Sequence, residues 1–111
     1  MKNSLGLDVD EVIFVQACLE TFLDSKNAVV HGIQIREPLR TELIESSLAK
    51  LKNLSLMTYF TKQEITIMVL SLHHIINCNK ISKSNELNED EVFLTIEKLS
   101  ALAGADKMHL N

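Results

Sequence analysis

Residues that interrupt helices are scarce in this chain of 111 residues. It contains three glycines and one proline, so it lacks the turn-rich composition that is typical of β-sandwiches and barrels. Tryptophan is absent, and aromatic residues make up only 5% of the chain. Because 46% of the residues are nevertheless hydrophobic, we expect a globular protein with a helical core.

Cysteine and long apolar runs are also scarce. Two cysteines, Cys18 and Cys78, are too few for the disulfide framework of a small secreted domain. On the predicted helices they lie too far apart along the bundle axis for a disulfide, so we predict free thiols. The first residues lack the apolar run of a secretory signal, and the most apolar stretch, residues 65–72, is far too short to span a membrane. A cytoplasmic protein without a membrane segment is therefore expected.

A surplus of basic residues is missing as well. The chain has 15 acidic and 11 basic side chains, for a formal charge of −4, whereas proteins that bind nucleic acid usually carry a basic excess. The acidic residues concentrate in residues 1–25 and 85–111, and the basic ones between them. This pattern predicts either attraction between helices of one bundle or an acidic face that steers a basic partner. Lysine outnumbers arginine, and asparagine and isoleucine are abundant, a composition typical of AT-rich bacterial genomes.

Apolar residues recur at three- and four-residue spacing in four segments, which is typical of amphipathic helices. The predicted helices cover residues 8–25, 37–55, 61–78 and 88–103. The simplest arrangement is a single all-α domain over residues 1–111, folded as an antiparallel four-helix bundle. The alternative is three long helices with a short extended segment at residues 28–35, where Val30, Ile33 and Ile35 would pack onto the bundle.

Local signals mark the ends of these helices. Acidic residues crowd the start of the first helix, where the helix dipole favours negative charge. The other candidate caps are Pro38 in the first turn of the second helix, Thr61 with Glu64, Asn88 with Glu91, and Gly104 as the last helix's end.

The third helix carries the residues best suited to special chemistry. His74 and Cys78 are four residues apart, so both lie on one helix face within reach of one metal ion. Two ligands do not complete a structural site, although His31 and His109 could add to them, and no CxxC or HExxH pattern is present. A Cys–His catalytic dyad would also need an orienting third group. We therefore predict no metal, no cofactor and no catalytic residues.

The same helix shows two apolar sectors. One contains Ile65, Met68 and Leu72 and predicts the core contact. The other contains Ile67 and Leu70, with His74 and Cys78 at its edge, and a monomeric bundle is expected to leave it uncovered. Ile13 and Phe14, outside the main stripe of the first helix, extend this surface. These six residues predict a homodimer interface around a twofold axis. The alternative is that residues 27–35 or a different protein cover this sector.

The functional prediction is a small non-enzymatic module that binds another protein through a helical surface and acts as a regulator, as a homodimer. One alternative is a metal- or redox-responsive regulator that uses His74 and Cys78. A further alternative is a nucleic-acid-binding regulator that uses the basic middle segment, namely Arg36, Arg40, Lys50 and Lys52.

Overall fold

Four α-helices make up most of the computed structural model, which describes residues 5–25, 29, 30, 32–77 and 89–110. The helices are α1 (Val9–Asp24), α2 (Leu39–Lys52), α3 (Lys62–Asn77) and α4 (Glu89–Leu110). No strand occurs among the described residues. The predicted all-α fold is confirmed, and the contacts between helices are those of a bundle. Within the described residues, no helix combines the length and the apolarity needed to cross a bilayer.

Helices α1 and α3 begin in the same way, with a glutamate that reaches back one turn. The N–H of Asp8 donates to Glu11 Oε1 at 2.8 Å, and the N–H of Thr61 donates to Glu64 Oε1 at 2.8 Å. The Thr61 hydroxyl in turn accepts the N–H of Glu64 at 3.1 Å, which completes the capping box predicted from the sequence. These bonds satisfy backbone donors that have no partner inside the helix.

Helix α2 runs from Leu39 to Lys52 rather than over the predicted residues 37–55, and Pro38 is its N-cap residue rather than part of its first turn. The carboxylate of Glu37 accepts the backbone N–H of Thr41 at 2.9 Å and its hydroxyl at 2.6 Å. These contacts hold the entry to the first turn of α2.

Helix α4 continues through Gly104 to Leu110, so the predicted end at Gly104 is wrong. Alanines at positions 101, 103 and 105 surround this glycine. Because alanine is the best helix former, these neighbours offset the cost of about 1 kcal/mol that one internal glycine imposes.

The segment between α1 and α2 forms a tight turn and no strand in its described part. The N–H groups of Val30 and Ile33 donate to each other's carbonyls at 3.0 and 2.9 Å, and Gly32 between them has φ +75°. Val30 is buried and Ile35 packs against the core, as predicted, but Ile33 is 48% exposed. A two-residue bridge replaces the extended segment expected as the alternative.

Helix α3 lies at the centre of the bundle, in contact with α1, α2 and α4. An up-down-up-down bundle would place α1 and α3 on a diagonal, whereas they pack directly against each other. Because α3 has three neighbours, both of its apolar sectors are buried. The core side chains of this helix are Ile65, Ile67, Met68, Leu70, Leu72 and Ile75.

Candidate protein-binding surface

His74 connects α3 to the end of α1. Its Nε2 lies 3.1 Å from the hydroxyl of Ser25, and its ring centroid lies 5.4 Å from that of Phe22, at an interplanar angle of 52°. The proposed companion Cys78 lies outside the described residues, as do His31, Asn88 and the side chain of His109. His74 therefore packs within the bundle of a single chain, whereas the sequence pattern assigned it to an interface with a second copy.

Arg40 occupies the same corner of the molecule, where α2 meets the end of α1. Only 1% of this side chain is exposed. Its guanidinium donates to the carbonyls of Phe22 and Ser25, the second at 2.8 Å, and its central carbon lies 4.6 Å from the Phe22 ring centroid. The carbonyls at a helix C-terminus carry partial negative charge, so a cation placed there stabilises the helix. The prediction that Arg40 contributes to a nucleic-acid surface is wrong, because the residue is buried.

Lys50, which was also assigned to the nucleic-acid surface, is paired with a buried carboxylate. Its Nζ lies 2.6 Å from Glu64 Oε1 and 5.5 Å from the ring centroid of Phe60. The Ser46 hydroxyl also donates to Glu64. Burial would raise the pKa of Glu64, but hydrogen bonds from Lys50, Ser46 and the backbone of Thr61 outweigh it and lower that pKa. Lys50 thus joins α2 to α3 and does not present a free charge.

Glu11 makes an equivalent connection between α1 and α4. It accepts the Thr95 hydroxyl at 2.9 Å and the Lys98 ammonium at 3.0 and 3.2 Å. Burial would raise the pKa of Glu11, yet hydrogen bonds from the backbone of Asp8, from Lys98 and from Thr95 lower it overall. Sequence analysis missed this site. The available signal was the spacing of Asp8 and Glu11, which matches that of Thr61 and Glu64.

Cys18 is a free thiol inside the core, with 1% of its surface exposed. Burial raises its pKa to about 12. Because the thiolate is the reactive form, this cysteine is inert as a nucleophile near neutral pH. The described residues hold no group of three or more His, Cys, Asp or Glu side chains arranged around a metal position.

The predicted homodimer surface lies largely inside the chain's own core. Ile67 is fully buried, and Leu70 and Phe14 are only 5% and 4% exposed. The expectation that a monomer leaves this sector uncovered is therefore wrong, because α3 packs against three helices and not two. Of the apolar residues assigned to that surface, Ile13 alone stays exposed, at 54%.

Three large exposed apolar side chains lie instead in the connection between α2 and α3. Leu56, Met57 and Tyr59 are 66%, 88% and 72% exposed, and we refer to these three residues as the apolar turn. Its backbone is held by local hydrogen bonds, since the Thr58 hydroxyl accepts the N–H of Ser55 at 2.9 Å and the Ser55 hydroxyl accepts the N–H of Met57 at 3.2 Å. The sequence-based prediction assigned no role to this connection, although three large apolar residues lie within a four-residue stretch.

Two surface pockets lie elsewhere. One, of about 360 Å³, is lined by side chains of the α2 entry and the start of α3: Ile35, Leu39, Leu43, Lys62, Gln63 and Thr66. The other, of about 340 Å³, is bordered by the acidic start of α1 and by α4. The ammonium of Lys98 at its wall is already bound by Glu11. Half of the side chains around the first pocket are aliphatic. Four carboxylates border the second, but among the described residues no such group is arranged around a metal position.

Comparison with known proteins gives no further guide to the site. No family model, no curated protein and no solved structure matches this chain.

Proposed function

We propose that this chain is a non-enzymatic, regulatory protein-binding module and that the apolar turn is its contact site. The observation that supports the proposal is the exposure of Leu56, Met57 and Tyr59, three large apolar side chains within four residues, on a chain whose described helices already share one buried core. Scattered single apolar residues on a surface need no explanation, but a contiguous apolar group marks an interaction site.

The composition and rigidity of the apolar turn suit it to binding. Tyrosine and methionine are enriched at the centres of protein interfaces. Burial of apolar surface contributes about 25 cal/mol per Å², so three large side chains can supply the central contact of a modest interface. The hydrogen bonds of Ser55 and Thr58 already order the backbone, which reduces the entropy lost on binding.

A second copy of this chain is the alternative occupant of the turn. An interface around a twofold axis would bring the same surface from both subunits together. Lys52 and Lys62 flank the apolar turn, so such an interface would oppose like charges. We therefore favour a different protein as the partner and treat a homodimer as the competing outcome.

The two other predicted functions receive less support. Arg40 is buried and Lys50 is paired, which leaves Arg36 and Lys52 as the exposed members of the proposed nucleic-acid surface. For the metal- or redox-responsive alternative, Nε2 of His74 already lies at hydrogen-bond distance from Ser25.

Photo-crosslinking tests the proposal directly. A photoreactive residue at position 57, introduced into the full chain in its native cell, should crosslink to one protein species. The same residue at position 13, which is also apolar and exposed, is the matched control and should give no such product.

With the purified partner, Met57→Ser and Tyr59→Ser should each weaken binding about tenfold or more, while Ile13→Ser should not. Equal effects at positions 13 and 57 would contradict the proposal, and a crosslink to a second copy would identify a homodimer.

A further inference from the structure

The charge around the apolar turn differs from that of the rest of the chain. No acidic residue occurs between positions 46 and 63, whereas Lys50, Lys52 and Lys62 all lie in this stretch. Lys50 is neutralised by Glu64. Lys52 is exposed and Lys62 is partly exposed, and among the described residues neither forms an ion pair. Two uncompensated cations therefore flank the turn, one at the end of α2 and one at the start of α3.

The nearest exposed carboxylates on α2 do not cancel the charge of Lys52. Glu45 precedes Lys52 by seven residues, which is about 10 Å along a helix axis. That distance is about one Debye length at 0.1 M ionic strength, so most of the interaction is screened. Glu42 lies farther from the turn by almost one helical turn. The stretch from Lys50 to Lys62, which contains Leu56, Met57 and Tyr59, is therefore basic on a chain of net charge −4.

We infer that the partner contacts the apolar turn with an acidic amphipathic segment, in which apolar side chains meet the turn and carboxylates meet Lys52 and Lys62. This inference rests on the proposed function and specifies its partner. Apolar contacts at the centre of an interface supply most of its affinity, while charge pairs at the rim set the partner's identity and the rate of association. A basic or neutral partner would leave both lysines unmatched.

An anionic membrane is the competing class of binding surface, and the charge count disfavours it. Electrostatic recognition of lipid headgroups uses clusters of about four to eight Lys or Arg residues. The apolar turn has only Lys52 and Lys62 free beside it. A protein segment, by contrast, needs only two carboxylates to pair with Lys52 and Lys62, and both can lie within the contact.

Tyr59 provides a built-in probe for the test, because it is the only tyrosine and the chain has no tryptophan. Two synthetic helical peptides without aromatic residues are titrated into the full chain while tyrosine fluorescence is recorded. Both have the same leucine positions, and one carries glutamates where the other carries lysines. The acidic peptide should bind at least about tenfold more tightly, and its affinity should fall as salt is added.

Reversing the charge of the two lysines tests whether they set the preference between the peptides. Lys52→Glu combined with Lys62→Glu should reverse the preference between the two peptides, while Arg36→Glu, which changes an exposed cation outside the stretch from Lys50 to Lys62, should leave it unchanged. An unaltered circular dichroism spectrum verifies that each variant is folded. Equal binding of the two peptides, or binding of neither, would overturn the inference.

The outcomes separate this inference from the proposed function. If crosslinking from position 57 identifies a partner whose contact segment is neutral or basic, the inference fails and the protein-binding function stands. If the chain instead binds vesicles of phosphatidylserine and phosphatidylcholine through Tyr59, and no crosslinked protein is found, both fail. A crosslinked segment rich in Glu or Asp, together with weaker binding by the double lysine variant, supports both.

Discussion

One aromatic ring organises the corner where α1 ends. Phe22 is buried, with the guanidinium of Arg40 over its ring and the ring of His74 at its side. Both polar side chains also bind oxygen atoms of the last turn of α1 or of the residue that follows it. A helix end that has no basic residue in its last turn therefore receives a guanidinium from α2, and the His74 ring of α3 packs beside it.

Arg40 is expected to be among the most sensitive positions of the chain. Arg40→Ala would remove the donors to the Phe22 and Ser25 carbonyls and the contact with the Phe22 ring, and should lower the free energy of unfolding by about 3 kcal/mol. Urea denaturation measures this change. Arg36→Ala, at an exposed position, should change the same quantity by no more than about 0.5 kcal/mol. Equal effects of the two substitutions would show that the buried guanidinium does not stabilise the corner.

Gly32 is a second position where one residue decides the local structure. Its φ of +75° disfavours residues with a Cβ atom, although no heavy atom lies within 4 Å of the place where that Cβ would be. The cost of Gly32→Ala is therefore conformational alone, and it should be about 1 kcal/mol of unfolding free energy. Gly32→Asn should cost less, because asparagine tolerates this region better. A stability series by thermal denaturation tests the order Gly, Asn, Ala, and an alanine variant as stable as the original would contradict it.

At the scale of elements, Glu11 and Glu64 have the same two roles, helix capping and contact with a neighbouring helix. Each closes the first turn of its own helix and then accepts a lysine and a hydroxyl from a neighbouring helix. The box of Thr61 and Glu64 could be predicted because its members are three residues apart. The interhelical partners could not, since Lys50 lies 14 residues from Glu64 and Lys98 lies 87 residues from Glu11. Local spacing carries no information about such pairs.

These two carboxylates predict how stability depends on pH. Both have a pKa below the ordinary value of 4.5 in the folded chain, so the unfolded chain takes up protons first as the pH falls. The stabilisation is complete above the ordinary value and is lost as the pH drops through the lower, folded-state pKa. The free energy of unfolding should therefore decrease on acidification below about pH 4.5.

Glutamine variants isolate the contribution of the two glutamates. Glu11→Gln and Glu64→Gln should each lower the free energy of unfolding by about 1–2 kcal/mol at neutral pH, because a charged hydrogen-bond acceptor is lost. Each should also flatten the acid side of the stability profile. Glu20→Gln, on the exposed side of α1, serves as the control and should leave the profile unchanged. An acid slope that survives in the Glu11→Gln, Glu64→Gln double variant would assign it to other groups.

At the scale of the whole molecule, the sequence predicted the positions of the helices better than it predicted which helices pack against each other. The expected helix over residues 61–78 corresponds to Lys62–Asn77, and that over residues 8–25 to Val9–Asp24, because periodicity and caps are local signals. No local signal in the sequence gives the number of helices that pack around α3. Two apolar sectors on one helix fit equally well a monomer with a central helix and a dimer of simpler bundles, and the burial of Ile67 and Leu70 decides for the central helix.

This arrangement reverses the expected effect of a charge at position 70. On a dimer surface, Leu70→Glu would separate two folded subunits, whereas in the core it places a carboxylate among apolar neighbours of α3. We expect Leu70→Glu to destabilise the fold by several kcal/mol, on the order of the cost of burying an unpaired polar group. Met57→Glu makes the same kind of change at an 88% exposed position and should leave the unfolding free energy within about 0.5 kcal/mol. Circular dichroism during thermal unfolding, with sedimentation at matched concentration, measures both outcomes. A Leu70→Glu chain that keeps its helical spectrum and its melting temperature while its mass falls by half would restore the dimer surface and refute the central position of α3.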